Sequence, residues 1–188
     1  AVLITSGNAN AGTGLAGRAD TELLAAGVAE QLDCQADEVI VLHTGVIGVP
    51  MHAERLLPRL RNLVAAADRT SEAGIAAATA MMTTDTFPKT SVRAIHTGQY
   101  SGMIGGVAKG AGMIHPRLAT MLSLIVTDLP VHPVALQRAL VKAVKPSFNA
   151  ISVDGDTSPN DSVILLATGT GTEVITEQSK EFSDFCDA

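Results

Sequence analysis

Strand-length apolar stretches crowd the middle of the chain, and they limit what it can fold into. Residues 90–97 alternate like a half-buried strand, with Val92, Ala94 and Ile95 among them. Residues 100–102 read as a turn, 103–108 as a second strand and 120–127 as a third. This hairpin-like succession does not fit a plain alternation of strand and helix. On either side the pattern changes. Residues 2–5 and 38–43 read as strands, and 16–32 as a helix with Leu23, Leu24, Val28 and Leu32 on one face. Residues 53–67 read as a helix that Pro58 kinks or splits unless it lies in the first turn. Ser71 is placed to cap an alanine-rich helix ending near Met81, with Glu72 favouring its positive end. Downstream, 132–144 is a helix with Pro133 early in it and Leu136, Leu140 and Val144 spaced by four. Residues 152–161 are a polar turn cluster, 162–168 a strand and 177–186 a final helix. Interspersed helices with a central run of strands predict a layered α+β fold.

Composition decides what fills the core and which partners are excluded. Hydrophobic residues make up 46% of the chain but aromatic ones only 3%, with no Trp. The core is therefore Ala, Val, Leu, Ile and Met, which favours closely packed elements. A net charge of −6 leaves no basic stripe to displace phosphate counterions, which argues against nucleic acid. No apolar run approaches the roughly 20 residues of a membrane-crossing helix. Cys34 and Cys186 stand far apart in no CxxC or Cys/His pattern, and the five histidines show no metal spacing, so neither a disulfide framework nor a metal site is expected. The opening Ala1-Val2-Leu3-Ile4-Thr5 reads as a strand already under way, without a starting Met. A fragment of a longer protein, with reduced thiols, is expected.

Five places in the chain have residue types suited to chemistry. The loop 6–14 carries three glycines, and Gly12-Thr13-Gly14-Leu15-Ala16-Gly17 formally matches a dinucleotide fingerprint. It lacks the acidic residue at the end of a second strand, so it reads as a structural turn. Thr44-Gly45 follows a strand, where a glycine N–H and a threonine group can approach a developing oxyanion. Thr83-Thr84-Asp85-Thr86 clusters hydrogen-bonding side chains, as turns do and as a polar ligand requires. Lys109, between small residues, either is solvated or meets a carboxylate as a point charge. Last, Thr120 stands at the mouth of an apolar run after Ala119. A threonine becomes a nucleophile when an amine takes its proton, and its own α-amine is free only if the chain is cut before it. His115 lies close in sequence but behind Pro116, and reads as structural.

Taken in order, residues 6–14, 44–48, 82–89, 108–122 and Asp154-Gly155 followed by Asn160-Asp161-Ser162-Val163 resemble the glutamate and ornithine N-acetyltransferase family of arginine biosynthesis. The resemblance spans almost the whole chain. It departs in detail: Met51 follows Pro50 directly, and Gly12 stands where the family commonly has Cys.

The resemblance implies a central fragment of a layered α/β sandwich of the N-terminal-nucleophile-like kind. It implies self-cleavage between Ala119 and Thr120, with 1–119 the end of an α chain and 120–188 the start of a β chain, both from one domain of a larger precursor. Thr120 is then the acyl-accepting nucleophile, Thr44 and Gly45 the oxyanion donors, and Thr83, Lys109 and Thr120 the substrate contacts. The implied reaction carries acetyl from N-acetylornithine to glutamate, with no cofactor, although some family members also take acetyl-CoA as a substrate. The implied assembly is a dimer of processed heterodimers, cytoplasmic in a bacterium or in the mitochondrial matrix of a fungus. An amidase or aminopeptidase with an N-terminal threonine shares the same first step, with water as the acceptor. A nucleotide-binding module built on residues 6–17 is the reading from another class.

Overall fold

A computed structural model of the chain describes residues 1–116 and 121–188. They fall into two compact units, Ala1–Thr83 and Thr84–Ala188.

The first unit contains β1 (Val2–Asn8), α1 (Gly14–Leu32), β2 (Ile40–Val46), α2 (Leu57–Ala65) and α3 (Ser71–Ala80). The two strands pair in parallel, from Val2 opposite Ile40 to Gly7 opposite Gly45. Parallel neighbours need a long crossover, and α1 supplies it. Both strands outrun their apolar patterns because each continues the other's ladder through its polar end. Thr44 and Gly45 are therefore strand residues, not the start of a turn. The core gathers Leu3, Leu24, Val28, Ala29, Val39, Ala53 and Leu60. Leu24 is wholly buried, and burying such a side chain stabilises by about 1.5–3 kcal/mol. Leu23 and Leu32, expected on that face, are 42% and 44% exposed instead. The buried stripe of α1 is Gly17, Leu24, Val28 and Ala29. Gly27 is part of the reason: a Cβ there would stand 2.8 Å from Leu60 and 2.9 Å from Leu57 of α2. Pro58 falls in the first turn of α2, where its missing N–H costs nothing. The cap of α3 is Thr70, whose side chain accepts the Ala73 N–H at 3.2 Å; Ser71 is already helical.

The second unit contains β3 (Lys89–Thr97), β4 (Tyr100–Lys109), β5 (Leu122–Thr127), α4 (Pro133–Val144), β6 (Ser162–Ala167) and α5 (Phe182–Asp187). The sheet order is β3-β4-β5-β6; the first two pairings are antiparallel and the last, which spans α4, is parallel. The turn expected at 100–102 sits two residues earlier, at Gly98-Gln99, where Gly98 takes φ 56° and lets a tight hairpin close. Tyr100, Ser101 and Gly102 are strand. Ile95, Ile104, Leu165 and Ala167 share one face and pack with Leu129, Val131, Ala135, Ala139, Ile175 and Phe185. Alanines, not the leucines spaced by four, are the most deeply buried side of α4, because a short side chain lets the helix lie close to its neighbours. The last helix is shorter than 177–186, since Thr176–Glu181 are taken up by turns before Phe182. Helices layered on sheets make an α+β arrangement, as the pattern predicts. Among the described residues, no helix is long and apolar enough to cross a membrane, and no cluster of His, Cys, Asp and Glu is arranged to hold a metal ion.

Candidate active site

Each unit carries a share of the residues singled out from the sequence. In the first, Thr44 is buried at 4% exposure on β2 beside Ser6 of β1. Gly45 takes φ 135°, and a Cβ on it would run into the backbone of Gly7 and Asn8. Only glycine lets the two strands approach so closely here. The Ser6 hydroxyl donates to the Ala80 carbonyl at 2.6 Å, tying the end of α3 to the strand next to Thr44. Thr83 follows three residues later and is exposed.

On the opposite face of β2, His43 is buried between two hydroxyls. Its Nδ1 is 2.8 Å from Thr5 Oγ1 and its Nε2 is 3.1 Å from Thr21 Oγ1. Thr21 donates its own proton to the Gly17 carbonyl. The network therefore assigns the ring proton to Nε2, with Nδ1 accepting from Thr5. Burial pushes the His43 pKa down, and the charge of Asp20 only partly offsets this. Next to it, the glycine loop is filled by its own side chains. Asn10 Nδ2 donates to the Gly17 carbonyl at 2.7 Å, and Thr13 Oγ1 donates to Asn10 Oδ1 at 2.9 Å. These bonds favour the structural reading of the loop over a phosphate site.

In the second unit, Lys109 ends β4 and is only 2% exposed, not solvated. It pairs with Leu122, near the start of β5. Asp85, with a fully buried side chain, accepts the Lys89 ammonium at 2.6 Å and the Gly110 N–H at 2.7 Å through Oδ1. Burial pushes the Lys109 pKa down; the carboxylate of Asp85 works against this and the ammonium of Lys89 adds to it. Asp154 accepts the Met113 N–H at 2.6 Å and the Ile114 N–H at 3.1 Å. The Met113 bond leads in holding its carboxyl below the usual range. Asp161 accepts the Met121 N–H at 3.3 Å, while its other oxygen is buried without a hydrogen-bond partner among the described residues. Burial pushes its pKa up, against the bonds from Met121 and Ser158. Lys109, Asp85, Met121 and Asp161 thus mark one end of the sheet.

Ala119 and Thr120 lie outside the described residues. His115 is exposed. A cleft of about 360 Å³ opens between the sheet of the second unit and its helices, walled by Ile104, Ile125, Leu140, Phe148, Leu165 and Phe185. None of the described site candidates lines it. Sequence reasoning passed over His43 and the burial of Asp85. The signal for Asp85 was present, as an acid four residues before a lysine in a cluster of hydroxyls. For His43 there was none, because its partners are distant in sequence.

The ArgJ family model matches residues 1–188. The arginine biosynthesis bifunctional protein ArgJ of Rhizobium meliloti is 47% identical over 90% of this chain and 40% of its own. That of Geobacter sulfurreducens is 46% identical over 98% of this chain and 47% of its own. The chain therefore spans less than half the length of these relatives. Among solved structures, the Bacillus halodurans arginine biosynthesis bifunctional protein ArgJ superposes with a TM-score of 0.57 at 33% identity, covering 64% of this chain and 61% of that one. The Mycobacterium tuberculosis ornithine acetyltransferase, in complex with ornithine, gives 0.52 at 36% identity, covering 63% and 62%. With a family match from the first residue to the last, and the α+β fold shared with these structures, the chain belongs to the ArgJ family.

Proposed function

We propose that the full-length protein carries an acetyl group from N-acetylornithine to glutamate through an acetyl ester on Thr120. The precursor cuts its own Ala119–Thr120 bond, which frees the Thr120 α-amine. That amine takes the proton of the Thr120 hydroxyl as the oxygen attacks the acetyl carbonyl. Donors at Thr44 and Gly45 meet the negative oxygen of the tetrahedral intermediate. The carbon–nitrogen bond breaks, the departing nitrogen takes the proton, and ornithine leaves. Glutamate then attacks the ester through its own α-amine. The ester carbon–oxygen bond breaks, the proton returns to Thr120, and N-acetylglutamate is released.

Lys109 is the observation that carries this reading most directly. A lysine only 2% exposed at the end of β4, paired across the sheet with Leu122, is withdrawn from solvent, and this burial supports a role at a site over a solvated one. It suits the α-carboxylate common to donor and acceptor, with Thr83 as a further contact. The complex of the Mycobacterium tuberculosis relative with ornithine supports the substrate class. Processed α and β chains assemble in this reading as a dimer of heterodimers. Acetyl-CoA serves as an additional donor if acetylglutamate forms from it without N-acetylornithine. Assaying both donors with wild type and Thr120→Ala tests the proposal. The variant is expected to lose transfer and cleavage together, and an acyl group passing to water in preference to glutamate would mean a hydrolase.

A further inference from the structure

Both sides of the proposed cut are fastened to one loop. On the upstream side, Asp154 accepts the Met113 N–H at 2.6 Å through Oδ2 and the Ile114 N–H at 3.1 Å through Oδ1. The Val153 N–H donates in turn to the Ile114 carbonyl at 2.9 Å. Met113 takes φ 57°, a left-handed conformation that a residue with a side chain seldom adopts without neighbours to hold it. On the downstream side, Asp161 accepts the Met121 N–H at 3.3 Å through Oδ1, and the Ser162 N–H donates to the Met121 carbonyl at 3.0 Å. Ile114 and Met121 are themselves buried together, 6% and 8% exposed, with Phe148 and Val163 packed against them. Residues 115–120, which include Ala119 and Thr120, lie between these two points in sequence. Residues 153–162 therefore hold the chain, by N–H and by carbonyl, at both ends of that stretch.

We propose that Asp154 and Asp161 are positioning residues for the self-cleavage, each holding one side of the bond that is cut. The inference rests on the self-cleaving part of the reading given above and adds no chemical step to it. The Met121 nitrogen is bonded directly to the Thr120 carbonyl carbon, so a carboxylate that fixes this nitrogen leaves Thr120 the freedom of a single residue. The second oxygen of Asp161 is buried without a hydrogen-bond partner among the described residues. A buried acceptor left open lowers stability, so the placing of this carboxylate has a reason other than stability. The two aspartates part company once the bond is cut. Asp161 still holds the residue next to the nucleophile, whereas Asp154 holds a chain no longer joined to it. Asp154 therefore serves cleavage, and Asp161 serves both cleavage and transfer.

The test follows cleavage of the full-length precursor over time by intact mass, and acetyl transfer by the processed protein, with thermal unfolding of each variant alongside. Asp161→Ala is expected to slow cleavage by about 10–10²-fold and to lower kcat for transfer by about tenfold, with KM changed little. Asp161→Asn keeps an oxygen for the Met121 N–H and should recover most of both. Asp154→Ala is expected to slow cleavage by a similar factor but to lower kcat less than Asp161→Ala does. Asp154→Asn keeps an acceptor for only one of its two amides and should fall between wild type and Asp154→Ala. Variants cut at the wild-type rate would overturn the proposal. So would losses that merely follow the unfolding temperature, without recovery in Asp161→Asn or a difference between the two aspartates. A wild-type precursor that is cut elsewhere, or not at all, would instead sink the self-cleaving reading itself. If an alanine variant does not fold, the asparagine pair decides. Cleavage near wild type in Asp161→Asn and slower in Asp154→Asn supports the proposal, and equal rates or the reverse order overturn it.

Discussion

Gly45 sits at φ 135° with the backbone of β1 where a side chain would begin. Gly45→Ala must therefore either strain that residue or part the strands. A loss of about 2 kcal/mol or more in urea unfolding is expected, with transfer activity lost alongside. On the proposed mechanism Thr44→Ala removes an oxyanion donor, and kcat should then fall about 10²–10³-fold at nearly constant KM. His43 gives the opposite kind of prediction, on pH. Its pKa is depressed in the fold, so below about 6.5 the unfolded chain binds more protons than the native one. Stability contributed by the neutral ring is complete above that value and is lost as pH falls. Thermal unfolding between about pH 7 and pH 5 should show this loss in wild type and much less of it in His43→Gln. A variant with the same acid slope would contradict the assignment of a buried neutral ring. Thr44, Gly45 and Lys109 could be singled out as candidates from their motifs in the sequence, whereas the burial of His43 and Asp85 depends on partners that only tertiary packing brings together.

At the level of elements, periodicity located the helices and strands but not their ends. β1 and β2 extend to Asn8 and Val46 because each supplies the other's ladder, a pairing no single apolar pattern encodes. The hairpin turn at Gly98-Gln99 could have been read from its glycine, yet Tyr100 and Gly102 drew the turn two residues late. The leucine stripe of α1 misled for a different reason. Leu23 and Leu32 suit a buried face by composition, but α2 covers only the side that Gly27 leaves open. The cap of α3 offers a local test. Thr70→Ala removes the bond to the Ala73 N–H and should cost about 1 kcal/mol, while Ser71→Ala, already inside the helix, should cost little. Chemical denaturation of the pair would separate these outcomes, and equal losses would place the cap at Ser71 after all.

For the whole molecule, two divisions of the chain serve different purposes. Folding divides it at Thr83 and Thr84, and each unit has its own core. The proposed cleavage divides it between Ala119 and Thr120, between β4 and β5, which remain paired across the second unit's sheet. A cut there would leave the antiparallel ladder from Ile104–Thr127 to Lys109–Leu122 to hold the new chain end in place. The chain spans less than half of its relatives' length, so the proposed reaction is to be tested on the full-length protein. The most direct test is the intact mass of that protein, alone and after N-acetylornithine, with Thr120→Ala beside it. The account predicts two fragments meeting at Thr120 and one acetyl group on the fragment that begins there, discharged by glutamate. A wild type that remains one chain while transferring acetyl, or a Thr120→Ala protein that is still cut and still active, would contradict it.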